Sequence, residues 1–232
     1  MTGTRPSIKQ WYLQQINFFH NLSMEAMMEI DGATEMLYFK KGEEIFKSDD
    51  ENQIYLIKEG RVKILAHSDD GKQTMVKDVV YPGQILGAIK MSSHDTPEAS
   101  AIAMDSQVII CVAESSVFED LMTRHADVGL AMTLNVGNRL QQLERKLDML
   151  LFKDASARIA SFVLNLVEEH GDKSNAQWTL THNLTHQDIA NMTATSRQTV
   201  TTVLNDLKKK GLIDHRGKTF TVLVPEGLKA YS

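Results

Sequence analysis

A chain of 232 residues, 42% hydrophobic and 24% charged, is long enough for one large or two ordinary packed domains, and its composition excludes a disordered chain. Its one cysteine, Cys111, excludes an intramolecular disulfide, an iron–sulfur cluster and a Cys-rich zinc site. The net charge of −5 argues against a nucleic-acid partner for the chain taken whole, but from Asp154 onward nine Lys and Arg face eight Asp and Glu, so the acidic excess lies before that point.

From Ser7 to about Ile30 the pattern is helical and amphipathic, with Trp11, Leu13, Ile16, Phe18 and Phe19 on the apolar side and a fresh start at Ser23 as N-cap. Trp11 and Tyr12 have no basic residues interleaved, so they read as core and not as a base-stacking pair. No apolar run reaches membrane-spanning length, and the N-terminus lacks the layout of a signal peptide; the expectation is a cytoplasmic protein with no membrane partner.

Between Thr34 and Glu114 the period changes to short alternating runs: Met36 to Phe39, Glu44 to Phe46, Gln53 to Lys58, Val62 to Ala66, Thr74 to Val80 and Ser106 to Val112. Gly42, Gly60, Gly71, Gly83 and Gly87 punctuate them, and Asp69 to Lys72 reads as a hairpin turn. Many short strands at this spacing predict an antiparallel barrel or sandwich. Cys111 lies among Val108, Ile109, Ile110 and Val112, which makes it a buried, inert thiol.

The runs Phe39-Lys-Lys-Gly42-Glu-Glu-Ile-Phe46, Ile54-Tyr-Leu-Ile57-Lys-Glu-Gly60-Arg-Val-Lys-Ile64 and Pro82-Gly83-Gln-Ile-Leu-Gly87 together resemble the β-roll of the cyclic-AMP receptor protein and fumarate–nitrate-reduction regulator (CRP/FNR) family. The resemblance continues to the C-terminal part and covers nearly the whole chain. It implies an α+β fold: a β-roll like a cyclic-nucleotide-binding domain in residues 1–127, a long dimerisation helix in 128–152 and a winged helix-turn-helix in 153–232.

Residues Ser116 to about Leu151 return to helical spacing. Val136, Leu140, Leu143, Leu147 and Leu150 step by four, three, four and three, the a/d seam of a coiled coil, flanked by Arg139, Glu144, Arg145 and Lys146. An apolar seam on so charged a helix is best buried by a second copy, and in the resembled family this helix is the dimer interface. A hinge is expected at Lys153-Asp154, followed by an amphipathic helix to about Glu169 carrying Ile159, Phe162, Val163, Leu166 and Val167, and a short strand at Trp178 to Leu180.

Leu184 to Gly211 reads as two short helices across a tight turn, a helix-turn-helix, and therefore as a reader of double-stranded DNA. Thr185 and Asp188 form a capping box for the first helix, with Ile189 and Met192 facing inward; Thr195 with Gln198 repeats it for the second. On that second helix Val200, Val203, Leu204 and Leu207 share one face, so Ser196, Arg197, Gln198, Thr201 and Thr202 look outward as base readers. Thr185, His186, Lys208 and Lys209 are placed for phosphates, as are Arg216 and Lys218 in the wing formed by two short strands around Gly217. Arg197, Gln198 and Thr202 fall where the family has Arg, Glu and Arg. Two of three differ, so the family's usual operator is not expected here.

The effector pocket also departs from the family. Its cyclic-nucleotide-binding members use a Gly-Glu-Leu for the ribose and an Arg-Ser for the cyclic phosphate; the corresponding positions are Gly87-Ala88-Ile89 and Glu98-Ala99. Ala88 cannot accept the ribose hydroxyl, and Glu98 sets a negative charge where an anion must sit. No cyclic nucleotide, no other cofactor and no metal is therefore expected: His94 as a haem ligand is a lone loop histidine, and the cap at Thr185 separates His182 from His186. No nucleophile–base pair or phosphate loop suggests an enzyme. The expected protein is a homodimeric transcription regulator with an unknown effector and, by the resemblance, RNA polymerase as a further partner. The alternative is a small-molecule sensor acting through a protein partner.

Overall fold

The computed structural model describes residues 22–46, 52–68, 74–87, 99–174 and 177–231. The helix expected from Ser7, with Trp11 and Tyr12, the turn at Asp69 to Lys72, and the positions Ala88, Ile89, His94 and Glu98 lie outside the described residues. The chain divides into two units, Met1–Leu140 and Gln141–Ser232. The boundary falls within a single helix.

In the first unit, alternating apolar residues build a β-roll of two four-stranded antiparallel sheets. One sheet has the order β1 (Glu35–Phe39), β8 (Val108–Glu114), β3 (Gln53–Glu59), β6 (Ile85–Leu86); the other runs β2 (Glu44–Phe46), β7 (Ala99–Ala103), β4 (Val62–His67), β5 (Thr74–Val80). β6 and β7 were not anticipated: β6 is two residues long, and β7 is made mostly of alanine and serine, which carry little strand propensity. Between the sheets lie Tyr55, Ile57, Val62, Ile64, Val80, Ala101, Ala103, Ile110 and Val112. The other face of the first sheet, with Ile54, Leu56, Cys111 and Ala113, is covered by α1 (Met24–Ala33), α2 (Ser115–Arg124) and the start of α3 (Ala126–Phe152). Burial on both faces explains why β3 and β8 read as continuous apolar runs. Cys111 is buried in this layer, as expected.

Ser23 caps α1, its Oγ accepting from Ala26 N–H at 3.3 Å. The run expected as one helix from Ser116 is two, broken at His125. Gly60 joins β3 to β4 at φ +75°, and a Cβ there would stand 2.5 Å from the Gln107 carbonyl oxygen. Gly60→Ala is therefore expected to destabilise this unit by roughly 2–4 kcal/mol, read as a lowered unfolding temperature; an unchanged temperature contradicts the assignment.

The second unit carries the end of α3, then α4 (Ala155–His170), β9 (Trp178–Thr181), α5 (His186–Met192), α6 (Arg197–Lys209), β10 (Ile213–Arg216), β11 (Thr219–Val222) and α7 (Pro225–Tyr231). The break at Lys153-Asp154 falls where a hinge was expected, and Asp154 caps α4 by accepting from Ala157 N–H at 2.8 Å. β10, β11 and β9 form one antiparallel sheet in that order. Ile159, Val163, Ile189, Val200, Leu204, Leu207, Phe220, Val222 and Leu228 are buried.

Candidate nucleic-acid interface

α5 starts as its residues require. Thr185 Oγ1 accepts from Asp188 N–H at 3.1 Å while Asp188 Oδ2 accepts from Thr185 N–H at 2.9 Å, a complete capping box. The second helix corrects the expectation. Its N-cap is Ser196, not Thr195, with Ser196 Oγ accepting from Thr199 N–H at 3.0 Å. Thr195 is held in the turn instead: its N–H donates to the Ala190 carbonyl at 2.9 Å and its hydroxyl lies 3.0 Å from that of Thr193. Between them Ala194 takes φ +50°, the reversal that lets α6 leave at an angle to α5.

A residue that sequence reasoning passed over holds this turn. Arg158, half-buried on α4, donates from Nε to the Thr193 carbonyl at 2.9 Å, from Nη2 to that of Ala194 at 3.1 Å, and from Nη1 to that of Lys153 at 2.9 Å. One guanidinium thus ties Lys153, two residues ahead of α4, to the turn before α6, using its fixed fork of donors.

α6 buries Val200, Val203, Leu204 and Leu207 and turns its other face outward. Arg197, Gln198, Thr201 and Thr202 are exposed there. The side chains of Arg197, Gln198 and Thr202 bond no other described residue, and the same holds for Lys209 and for Lys218 at the wing tip. Ser196 and Thr201 are engaged: Ser196 in its cap, Thr201 donating to the Arg197 carbonyl at 3.0 Å while its oxygen lies 2.9 Å from His186 Nδ1. With the threonine proton so used, His186 Nδ1 carries the hydrogen. Lys208 and Arg216 also have a partner, Asp214, at 2.6 and 2.7 Å. Lys210 is pinned by Asp206 at 2.8 Å and lies over the Tyr231 ring.

His215 points away from that charged face. Its ring stands 4.7 Å from Phe220 and 5.6 Å from both His182 and His186, centroid to centroid. Burial first, and then the Coulombic influence of His186 and Lys208, hold its pKa below the ordinary 6.5. The folded unit keeps His215 neutral where an unfolded chain takes a proton, so its contribution to stability is complete above about pH 6.5 and is lost as pH falls through the lower folded value. The unfolding temperature should fall between about pH 7 and pH 5, and less so in His215→Phe; equal falls in both contradict the assignment.

Five large aliphatic residues on α3 line one stripe: Val136, Leu140, Leu143, Leu147 and Leu150 are 63, 56, 52, 55 and 49% exposed. Of the expected effector positions, Gly87 takes φ +95° with the Gln53 carbonyl oxygen 2.2 Å from where a Cβ would be, and Ala99 begins β7 opposite Ala66. Among the described residues no group of three or more His, Cys, Asp or Glu is placed to hold a metal, and no helix is long and apolar enough to cross a membrane.

A β-roll, a long helix and a winged helix-turn-helix in this order define a class of DNA-binding transcription regulator, and similarity to known proteins agrees. Residues 36–125 match the cyclic nucleotide-binding domain family and residues 157–231 the Crp-like helix-turn-helix domain family. The chain belongs to the CRP/FNR family of transcription regulators. It is 22% identical over 217 residues to the CRP-like cAMP-activated global transcriptional regulator of Mycobacterium tuberculosis, spanning 93% of this chain and 96% of the relative. To the cAMP-activated global transcriptional regulator CRP of Pasteurella multocida it is 26% identical over 227 residues, spanning 94% and 97%. The FixK2 structure from Bradyrhizobium japonicum shares the fold with a TM-score of 0.73 at 18% identity, covering 86% of this chain and 97% of that one.

Proposed function

We propose that the protein regulates transcription as a homodimer, each protomer placing α6 in the major groove of one half of a pseudo-palindromic site, with RNA polymerase as a further partner. The observation that carries this reading is the exposed face of α6. Arg197, Gln198 and Thr202 stand free of other described residues at its first turns, while the opposite face is anchored in the core. Arg197 can pair with guanine and Gln198 with adenine, each pair contributing about 1–3 kcal/mol of discrimination. Thr185, His186, Lys208, Lys209, Arg216 and Lys218 surround these readers as phosphate contacts, and the stripe Val136 to Leu150 pairs the protomers. A shift assay on fragments of the source genome tests it: discrete, competitor-resistant complexes are expected, and the absence of any shift with or without cell extract would favour a sensor that acts through a protein partner.

The same reading makes the regulator independent of cyclic AMP, unlike its named relatives. Besides Ala88 and Glu98 in the sequence, the β-roll interior supports this. Asp78 on β5 pairs with Ile64 in register and so faces inward, where its carboxylate meets Arg139 of α3 at 2.8 Å. Arg61 is committed to Asp105 at 2.6 Å. Both arginines are thus already paired with carboxylates, which a cyclic phosphate would have to displace. Calorimetry with cyclic AMP should show no saturable heat; binding at micromolar concentration overturns this point.

A further inference from the structure

Strand alternation sends Asp214 and Arg216 to one face of β10 and His215 to the other. On the charged face Asp214 lies between two elements. One carboxylate oxygen is 2.6 Å from Lys208 Nζ, in the last turn of α6; the other is 2.7 Å from Arg216 Nε, at the end of the wing strand. Arg216 is 85% exposed and Lys208 47%, so both cations remain reachable from solvent while Asp214, at 23%, sits beneath them. Lys209 and Lys218 beside them have no such partner among the described residues. The Lys208 and Arg216 charges hold the Asp214 carboxyl below the usual carboxylate range, so it is ionised whenever DNA is present at neutral pH.

A carboxylate oxygen and a phosphodiester oxygen offer an ammonium or guanidinium the same kind of acceptor. We propose that Asp214 is a built-in stand-in for DNA phosphate that lowers the protein's sequence-independent affinity for DNA. In the free protein it offsets the charge of Lys208 and Arg216, so a phosphate that engages either one gains less than it would from an unpaired cation. The corner then presents one net positive charge per protomer in place of two. Counterion release scales with the phosphates neutralised, so the carboxylate lowers both background affinity and its dependence on salt. This inference rests on the reading of α6 and the wing as the DNA-binding face.

The test uses the full chain and a fluorescent duplex of arbitrary sequence, titrated by anisotropy across a range of salt concentrations. Asp214→Asn is expected to bind roughly 5–10-fold tighter per engaged protomer near 0.1 M salt, with a log–log salt slope steeper by about one per protomer. Asp214→Glu should behave as the wild type. Glu226→Gln, which makes the same change in net charge on α7 where Glu226 pairs with Lys229, should leave binding unchanged. A second arm needs no change at Asp214: Arg216→Gln should cost less affinity than Lys218→Gln, because Arg216 is already engaged. Equal or weaker binding by a folded Asp214→Asn, or a larger loss in Arg216→Gln than in Lys218→Gln, overturns the inference alone. A wild-type chain that fails to bind duplex even at about 50 mM salt overturns the DNA-binding reading itself.

Discussion

Leu143→Asp should convert the protein to monomers and weaken its binding to a two-part site by about 10²–10⁴-fold, the advantage that linking two readers provides. Leu143 is the middle of five aliphatic residues on one stripe of α3, about half exposed in the single chain. A second copy burying that stripe removes each leucine from water, worth roughly 1.5–3 kcal/mol apiece. A carboxylate at the centre of the seam replaces one such gain on each strand with an unpaired charge in an apolar contact, which costs several kcal/mol more. The helix itself tolerates aspartate at an exposed position, so the monomer should stay folded. Sedimentation at micromolar concentration separates the outcomes: a folded monomer with weak binding is expected, and a dimer as stable as the wild type would mean that the stripe is not the interface.

Arg158→Ala should lower the stability of the second unit by about 2–4 kcal/mol and, at temperatures where the variant stays folded, reduce DNA affinity at least about tenfold. The single guanidinium serves three backbone carbonyls, two of them in the turn that sets where α6 begins. Removing it takes the side-chain donor from the Thr193 and Ala194 carbonyls and leaves the turn to Thr193 N–H and Oγ1 on the Ile189 carbonyl, Ala194 N–H on that of Asn191 and Thr195 N–H on that of Ala190. Arg158→Lys should fall between, since one ammonium on a flexible stem cannot span the fork. Urea unfolding and anisotropy on the same samples check both effects. Wild-type stability together with wild-type binding would show that the turn holds its shape without Arg158.

Much of this arrangement was legible because the physics is local. The capping box at Thr185 and Asp188, the buried face Val200–Val203–Leu204–Leu207 and the glycine turns around the β-roll all depend on residues within a few positions of one another. The features that escaped are those set by distant partners. Nothing in Met122 to Val128 breaks a helix by propensity; the break at His125 comes with contacts to α1, where His125 Nε2 meets Glu29 at 3.1 Å and Asp127 Oδ2 accepts from Ser23 N–H at 2.6 Å. The cap at Ser196 in place of Thr195 differs by one residue, and the deciding bond runs back to Ala190. Arg158 was passed over because two of its partners, Thr193 and Ala194, lie 35 and 36 residues away, and Asp214 because its partner Lys208 sits on another element. Of the expected effector positions, Ala88, Ile89 and Glu98 stay a matter of sequence, while Asp78 and Arg139, unremarkable in the sequence, meet at the β-roll interior.

The proposed function requires two copies of α6 to read one site together. Selection from a pool of random duplex DNA by the purified full chain, followed by sequencing, tests it most directly. An enriched inverted repeat is expected, its half-site centres about 10–10.5 base pairs apart, and it should be lost from the selection in Arg197→Ala. Enrichment of a single half-site, or of no shared sequence, would contradict it.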